Sequence, residues 1–451
     1  MQFRFNGLLQ QEGWTEPAYV LVDDDGIISA ISEKPFDGHG IEAVNGFALP
    51  GFQNAHSHAF QYAMAGEAEN HPAGIADDFW TWREAMYRCA LSVNPDQAES
   101  IAAMLYAEML RHGYTHVAEF HYLHHNHDGI PYDNPAEMGF RMVRAAKTAG
   151  IGITLIPVFY QTGNFGIAPD PGQRRFINPT VDAYLQLFHA SKEALSLYDK
   201  SYLAWSIHSL RAARQESILE LFEQMPTNLP FHIHAAEQLK EVSASVAYSG
   251  LRPVQWLLEN LPVNRNFFIV HATHLDDNEL RGLATSGATV VLCPGTEGNL
   301  GDGIFRMKDY VREGGQWCIG TDSHISLNPM AEFRMMDYRQ RLVSHRRNTF
   351  DGDAAQYMVH TAFRQGKFAM GIQHSNHFAP GQPLDAVVYD ADAPLIAKSN
   401  ALNRLATLLY TSDASGITGT MVSGKWVVKN NQHISGATIR ENFLSTLSDL
   451  H

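Results

Sequence analysis

The sequence predicts an α/β fold: a (β/α)8 barrel of the TIM type, with a small β-sandwich domain assembled from both chain ends. Three observations predict it. Eight short, β-rich apolar runs recur through the middle of the chain, each followed by a helical or loop-rich stretch. Polar side chains collect at the C-terminal ends of those runs, strand after strand, where such barrels carry their chemistry. Both termini read instead as short strands joined by turns.

In chain order, residues 1–49 form the first part of the small domain. There "AYVLVDDDGIISAISEK" is two apolar runs split by a turn signal. Residues 50–378 form the barrel. Its runs are "GFALPGFQNAH", "THVAEFHY", "GITLIPVFY", "SYLAWSIHS", "LPFHIHAAE", "NFFIVHATH", "GATVVLCPG" and "GQWCIGTDSH". Between them, "PDQAESIAAMLYAEMLRHG" and "AEMGFRMVRAAKTAG" space apolar residues helically and place Gly near the end. Residues 379–451 return to strands, "LDAVVYDAD" and "GTMVSGKWVVKNNQHI", and finish in a terminal helix. A doubly wound open sheet is the competing architecture. The polar strand ends favour the barrel.

The 451 residues are 45% hydrophobic and 18% charged, ordinary for a chain with a sizeable core. The formal net charge of -15 opposes general binding to nucleic acid or to an anionic membrane. It also means that an anionic ligand needs cations placed locally. Cys89, Cys293 and Cys318 are too few and scattered for a disulfide framework and fit a reducing compartment. "MQFRFNGLLQQEGW" has no apolar run like a signal peptide, and no stretch of about 18 apolar residues occurs. The expectation is a soluble, cytoplasmic protein.

The strand ends carry the chemistry. In "QNAHSHAFQ", His56 and His58 are two apart and share a face if the segment is a strand end. The fifth run carries His232, His234 and Glu237, the sixth His271 and His274, the eighth Asp322 and His324. In a barrel these ends share one rim. Their nitrogen and oxygen donors suit a catalytic divalent metal with an open position for water. Spacing alone does not choose between His232 and His234.

A pattern of His-x-His, then His, His and Asp on later strands resembles the amidohydrolase superfamily. "DDFWTWREAMYR", "AEFHYLHH", "GQRRFINP", "HSLRA", "HIHAAEQLKEV", "TEGNLGDGIF" and "GTDSHISL" are similar to its formimidoylglutamate deiminase family. That resemblance implies His56, His58, His234 and Asp322 as ligands, with His234 selected because it stands three residues before the catalytic Glu. Some relatives hold two metals on a carboxylated lysine of the fourth strand. Here that run has none, Lys200 lying before it, so one Zn2+ per chain is implied. The implied substrate is N-formimino-L-glutamate, whose deimination in histidine degradation gives N-formyl-L-glutamate and ammonia. Glu237 would shuttle protons, Asp322 would take a proton from water, and His271 would orient the attacking oxygen. Arg83 and Arg211 suit the two substrate carboxylates. Gln61, Tyr122 and His208 are further implied contacts.

Three stretches are read conservatively. His121, His124, His125 and His127 in "HYLHHNHDG" are taken as a loop rather than a second metal site. "GTEGNLGDG" lacks the P-loop Lys-Ser/Thr and reads as a rim loop. The aromatics of "DDFWTWREAMYR" read as packing, or as part of a lid. The competing functions are an iminohydrolase for formimino-aspartate, a guanine deaminase, or a metal-binding protein without catalysis. The oligomeric state stays open, a homodimer being one option.

Overall fold

The computed structural model describes residues 1–38, 40–69 and 77–450. Eight parallel strands form the barrel: β1 (Phe52–Ser57), β2 (Tyr114–His121), β3 (Gly152–Phe159), β4 (Trp205–Ser209), β5 (Phe231–Ala235), β6 (Phe267–His271), β7 (Thr289–Leu292) and β8 (Gln316–Ile319). Each coincides with one of the eight apolar runs, β1 and β2 passing the run's edge by one residue. A short strand, Ser201–Leu203, precedes β4 and also pairs with β3. The strands are buried almost throughout because helices cover the outside and side chains fill the inside.

Local chemistry sets the helix ends. Asp78 caps the helix Phe79–Ser92, accepting from the backbone N–H groups of Trp80 and Thr81. Asn94 caps Pro95–Arg111, with Pro95 in the first turn, where its missing N–H costs nothing. Gly150, left-handed at φ 85°, ends Glu137–Ala149.

Both chain ends build a second, mostly antiparallel sheet of nine strands. The N-terminal piece meets the C-terminal piece where Ile41–Pro50 pairs with Ala386–Asp390. Phe3, Phe5, Val20, Leu384, Val388 and Met421 share that sheet's own apolar cluster. Ile41–Pro50 continues through Gly51 directly into β1, so the small sheet fixes where the first barrel strand starts. The terminal helix Gly436–Leu450 lies against Pro95–Arg111.

The barrel closes between β1 and the residues after β8. The His56 carbonyl accepts from the N–H groups of Thr321 (3.1 Å) and Asp322 (3.0 Å). The Asn54 amide clamps Thr321, donating to its Oγ1 at 2.7 Å and accepting from its N–H at 2.9 Å. Gly320 allows this approach, since a Cβ there would lie 2.7 Å from the His56 Cβ and 2.8 Å from its N. Gly320→Ala must therefore displace β1, at about 1–3 kcal/mol as an overpacking change. The expected result is a lower melting temperature together with weaker retention of metal, measured on the same preparation.

Candidate active site and metal centre

His56 and His58 leave β1 two residues apart, His234 comes from β5, and Asp322 follows β8. One ligand atom from each lies within 4.8 Å of all the others. His56 Nε2 stands 3.1 Å from His58 Nε2 and 3.0 Å from His234 Nε2. Asp322 Oδ1 is 3.5 Å from His56 Nε2 and 3.2 Å from His58 Nε2.

Backbone carbonyls fix the tautomers. His58 Nδ1–H donates to the Phe120 carbonyl at 2.9 Å, and His234 Nδ1–H to the His208 carbonyl at 2.8 Å. A carbonyl only accepts, so each of these Nδ1 atoms carries a proton. A neutral ring then turns its Nε2 lone pair toward the cluster. Burial opposes protonating His56, lowering it to about 3, and also holds His234 well below its usual range. Several lone pairs and a carboxylate facing one another at contact distance repel unless a cation lies among them. The donor set, three imidazole nitrogens and one carboxylate, fits a divalent ion such as zinc.

Around this centre lie the other candidates. Glu237 follows β5, and its Oε1 is 3.7 Å from His271 Nε2. His271 Nε2 is also 3.7 Å from Asp322 Oδ2. Burial pushes the Glu237 carboxyl up to about 7 against the opposing charges of His271 and Arg211. Ala236, His271 and Asp322 all have positive φ (54°, 69° and 52°), so the backbone at the C-terminal ends of β5, β6 and β8 is held in a conformation non-glycine residues seldom adopt.

One pocket of about 500 Å³, its open mouth included, takes in His58, His234, Glu237, His271 and Asp322. Gln61, Arg83, Tyr122, His208 and Arg211 line it as well. Gln61 Nε2 donates to the Tyr122 hydroxyl at 2.9 Å. Arg211 is 6% exposed, in the turn after β4. Arg83 lies on the helix Phe79–Ser92, its guanidinium 4.4 Å from the Trp80 ring centre. Among the described residues, neither arginine makes an ion pair. The segment "DDFWTWREAMYR" supplies this helix, and Phe79, Trp82, Arg83 and Met86 place one helical face on the pocket. Leu300, from the glycine-rich segment, closes another side.

His232 is not in the cluster. It donates from Nε2 to the Ala369 carbonyl at 3.1 Å and stacks on Phe268. The histidines after β2 do not converge either. His124, His125 and His127 are each spent on a carbonyl, those of Val158, Ile177 and Leu91. Lys200 precedes its strand and pairs with Asp199 at 4.0 Å.

Supporting acids escaped the sequence reading. Glu119 accepts from Ser57 Oγ (2.6 Å), the Ala59 N–H (2.7 Å) and the Tyr106 hydroxyl (3.1 Å), bracing the turn that carries His56 and His58. Glu241 accepts from the N–H groups of Ala236 and Glu237. Glu297 Oε1 lies 3.5 Å from His271 Nδ1, with Arg339 3.2 Å behind. All three lie in segments quoted above, "AEFHYLHH", "HIHAAEQLKEV" and "TEGNLGDGIF", but none was given a role there.

The fold and the four-donor rim define a metal-dependent hydrolase of the amidohydrolase class. Residues 47–427 match the amidohydrolase family, and the chain belongs to it. It is 42% identical to a formimidoylglutamate deiminase of Pseudomonas aeruginosa, over 98% of each chain. A crystal structure of an amidohydrolase from Brucella melitensis superposes with a TM-score of 0.93 at 36% identity, covering 100% of this chain and 99% of that one. A zinc-bound adenosine deaminase from Xanthomonas campestris shares the fold at a TM-score of 0.83 and 20% identity, covering 100% and 98%.

Metal analysis of protein freed of loose ions should find about one equivalent per chain. His234→Ala should lose it, and His232→Ala should keep it. Two tightly held equivalents, or a metal-replete His234→Ala, would contradict the assignment.

Proposed function

We propose that this chain is a zinc-dependent hydrolase that converts N-formimino-L-glutamate to N-formyl-L-glutamate and ammonia, a step of histidine degradation carried out in the cytoplasm. The observation that carries the reading is one pocket that takes in three of the four donors, His58, His234 and Asp322, together with two guanidiniums, Arg83 and Arg211, that make no ion pair among the described residues. A protein of net charge -15 keeps such cations for an anionic ligand. The 42% identity to a formimidoylglutamate deiminase supports the same substrate.

The reaction adds water across the amidine carbon. A C–O bond forms, and the C–N bond to the departing nitrogen breaks. His56, His58, His234 and Asp322 would hold the zinc, which supplies Lewis acidity and brings the pKa of water toward about 7. Asp322 accepts a proton from the attacking water. Glu237, raised toward neutrality, holds a proton and delivers it to the imine nitrogen. The water proton held by Asp322 then passes to the same nitrogen, and the hydroxyl proton on the amidine carbon returns to Glu237, so that the nitrogen leaves as ammonia and the formyl C=O forms. His271, with Nε2 between Glu237 and Asp322, orients the attacking oxygen. Arg83 and Arg211 bind the two carboxylates and so place the amidine carbon.

Ammonia release from N-formimino-L-glutamate, N-formimino-L-aspartate and guanine, measured side by side, tests the reading. The first should be fastest, and guanine the fastest would overturn it. Glu237→Gln should lose about a hundred- to ten-thousand-fold in rate with metal content unchanged. Arg83→Met and Arg211→Met should each lose roughly ten- to a hundred-fold or more in kcat/KM while keeping fold and metal.

A further inference from the structure

Gln173 lies in the segment "GQRRFINP", is 1% exposed, and touches neither the metal ligands nor Glu237 in any hydrogen bond. Its amide orientation is set by a neighbour. Gln173 Oε1 accepts from the Asp170 backbone N–H at 2.8 Å, and a backbone N–H can only donate. The Nε2 group therefore faces the other way. It donates to the Tyr87 hydroxyl at 2.9 Å and to the Tyr160 hydroxyl at 2.8 Å, with a longer contact of 3.4 Å to the Gly163 carbonyl.

An amide nitrogen has no lone pair to offer. Neither phenol can donate to Gln173, so each uses its oxygen as acceptor there and keeps its O–H hydrogen for another partner. Among the described residues, neither hydroxyl has a second hydrogen-bond partner. Both tyrosines line the substrate pocket beside Arg83 and Arg211. The charges of the four groups reach one another, since Arg83 and Arg211 act on Tyr87, and Tyr160 acts on Arg211. One wall thus presents two guanidiniums and two O–H donors.

The geometry points to a specificity role for this wall: Gln173 holds the Tyr87 and Tyr160 hydroxyls as donors to one carboxylate of the substrate, completing a four-donor anion site. The inference rests on the acidic amidine substrate proposed above and adds two contact residues, and a positioning residue behind them, to the five pocket contacts read from the sequence. The phenols are substrate contacts, and Gln173 acts only through them.

Steady-state kinetics of Tyr87→Phe, Tyr160→Phe and Gln173→Glu test it. Each Tyr→Phe change removes one hydrogen bond to a charged group, so KM for N-formimino-L-glutamate should rise roughly tenfold or more with kcat little changed. Gln173→Glu offers a carboxylate that accepts both phenol hydrogens. It should raise KM at least as much as either Tyr→Phe change. Two analogues then locate the contact: N-formimino-glycine lacks the side-chain carboxylate, and N-formimino-4-aminobutyrate lacks the α-carboxylate. On one of the two the Tyr→Phe penalty should vanish. An unchanged KM in both Tyr→Phe variants, or equal penalties on both analogues, would overturn the inference while leaving the proposed reaction standing. A parent enzyme that releases no ammonia from formiminoglutamate would overturn both. If Gln173→Glu fails to fold, the Tyr→Phe variants against the two analogues still decide.

Discussion

Three imidazole nitrogens and a carboxylate oxygen brought to contact distance repel one another, and the barrel is built to hold them there. Carbonyls of Phe120 and His208 fix two of the rings by their Nδ1 protons, so those rings cannot turn a proton inward. A cation among them relieves the repulsion, and the binding free energy of that cation is then available to the fold. The elements that keep the donors together come from all round the barrel. The Asn54–Thr321 clamp joins its first and last strands, Gly320 permits their approach, and Glu119 braces the turn between His56 and His58 from the second strand.

The same centre explains the arrangement of charge in the pocket. Asp322 is held far below the usual carboxylate range by His56 and His58 in spite of burial, whereas burial raises Glu237. Two carboxyls within reach of one imidazole thereby start in opposite states, one ionised and able to take a proton, one already carrying one. The same pocket also holds the cations Arg83 and Arg211. In the proposed reaction the amidine faces the acids and the carboxylates face Arg83 and Arg211.

Much of this was legible in the sequence because a strand places every second residue on one face and a barrel puts all strand ends on one rim. His56 and His58, and the polar ends of β5, β6 and β8, follow from those two facts. The choice between His232 and His234 does not, because both obey the same period. Their depth in the barrel decides, and His232 meets the Ala369 carbonyl instead of the cluster. The histidines of "HYLHHNHDG" look metal-like in one dimension, and in three His124, His125 and His127 are each consumed by a carbonyl. Glu119, Glu241, Glu297 and Gln173 were unreadable for a common reason. Each acts on a backbone group or side chain of another segment, and a lone acid or amide in a strand or loop carries no local mark of that.

The closure between β1 and the residues after β8 has a kinetic side. The Asn54–Thr321 contact joins residues 267 apart in sequence. The strand feeding β1, Ile41–Pro50, finds one neighbour in Gln2–Gln10 and the other only in Ala386–Asp390. Loop-closure entropy must be met before either long-range pairing contributes. The ligand pair His56 and His58 is made early in synthesis, yet His234 comes 178 residues after His56, and Asp322 more than half a chain after it. The donor cluster therefore depends on the chain's longest-range closures, and no local segment can form it alone.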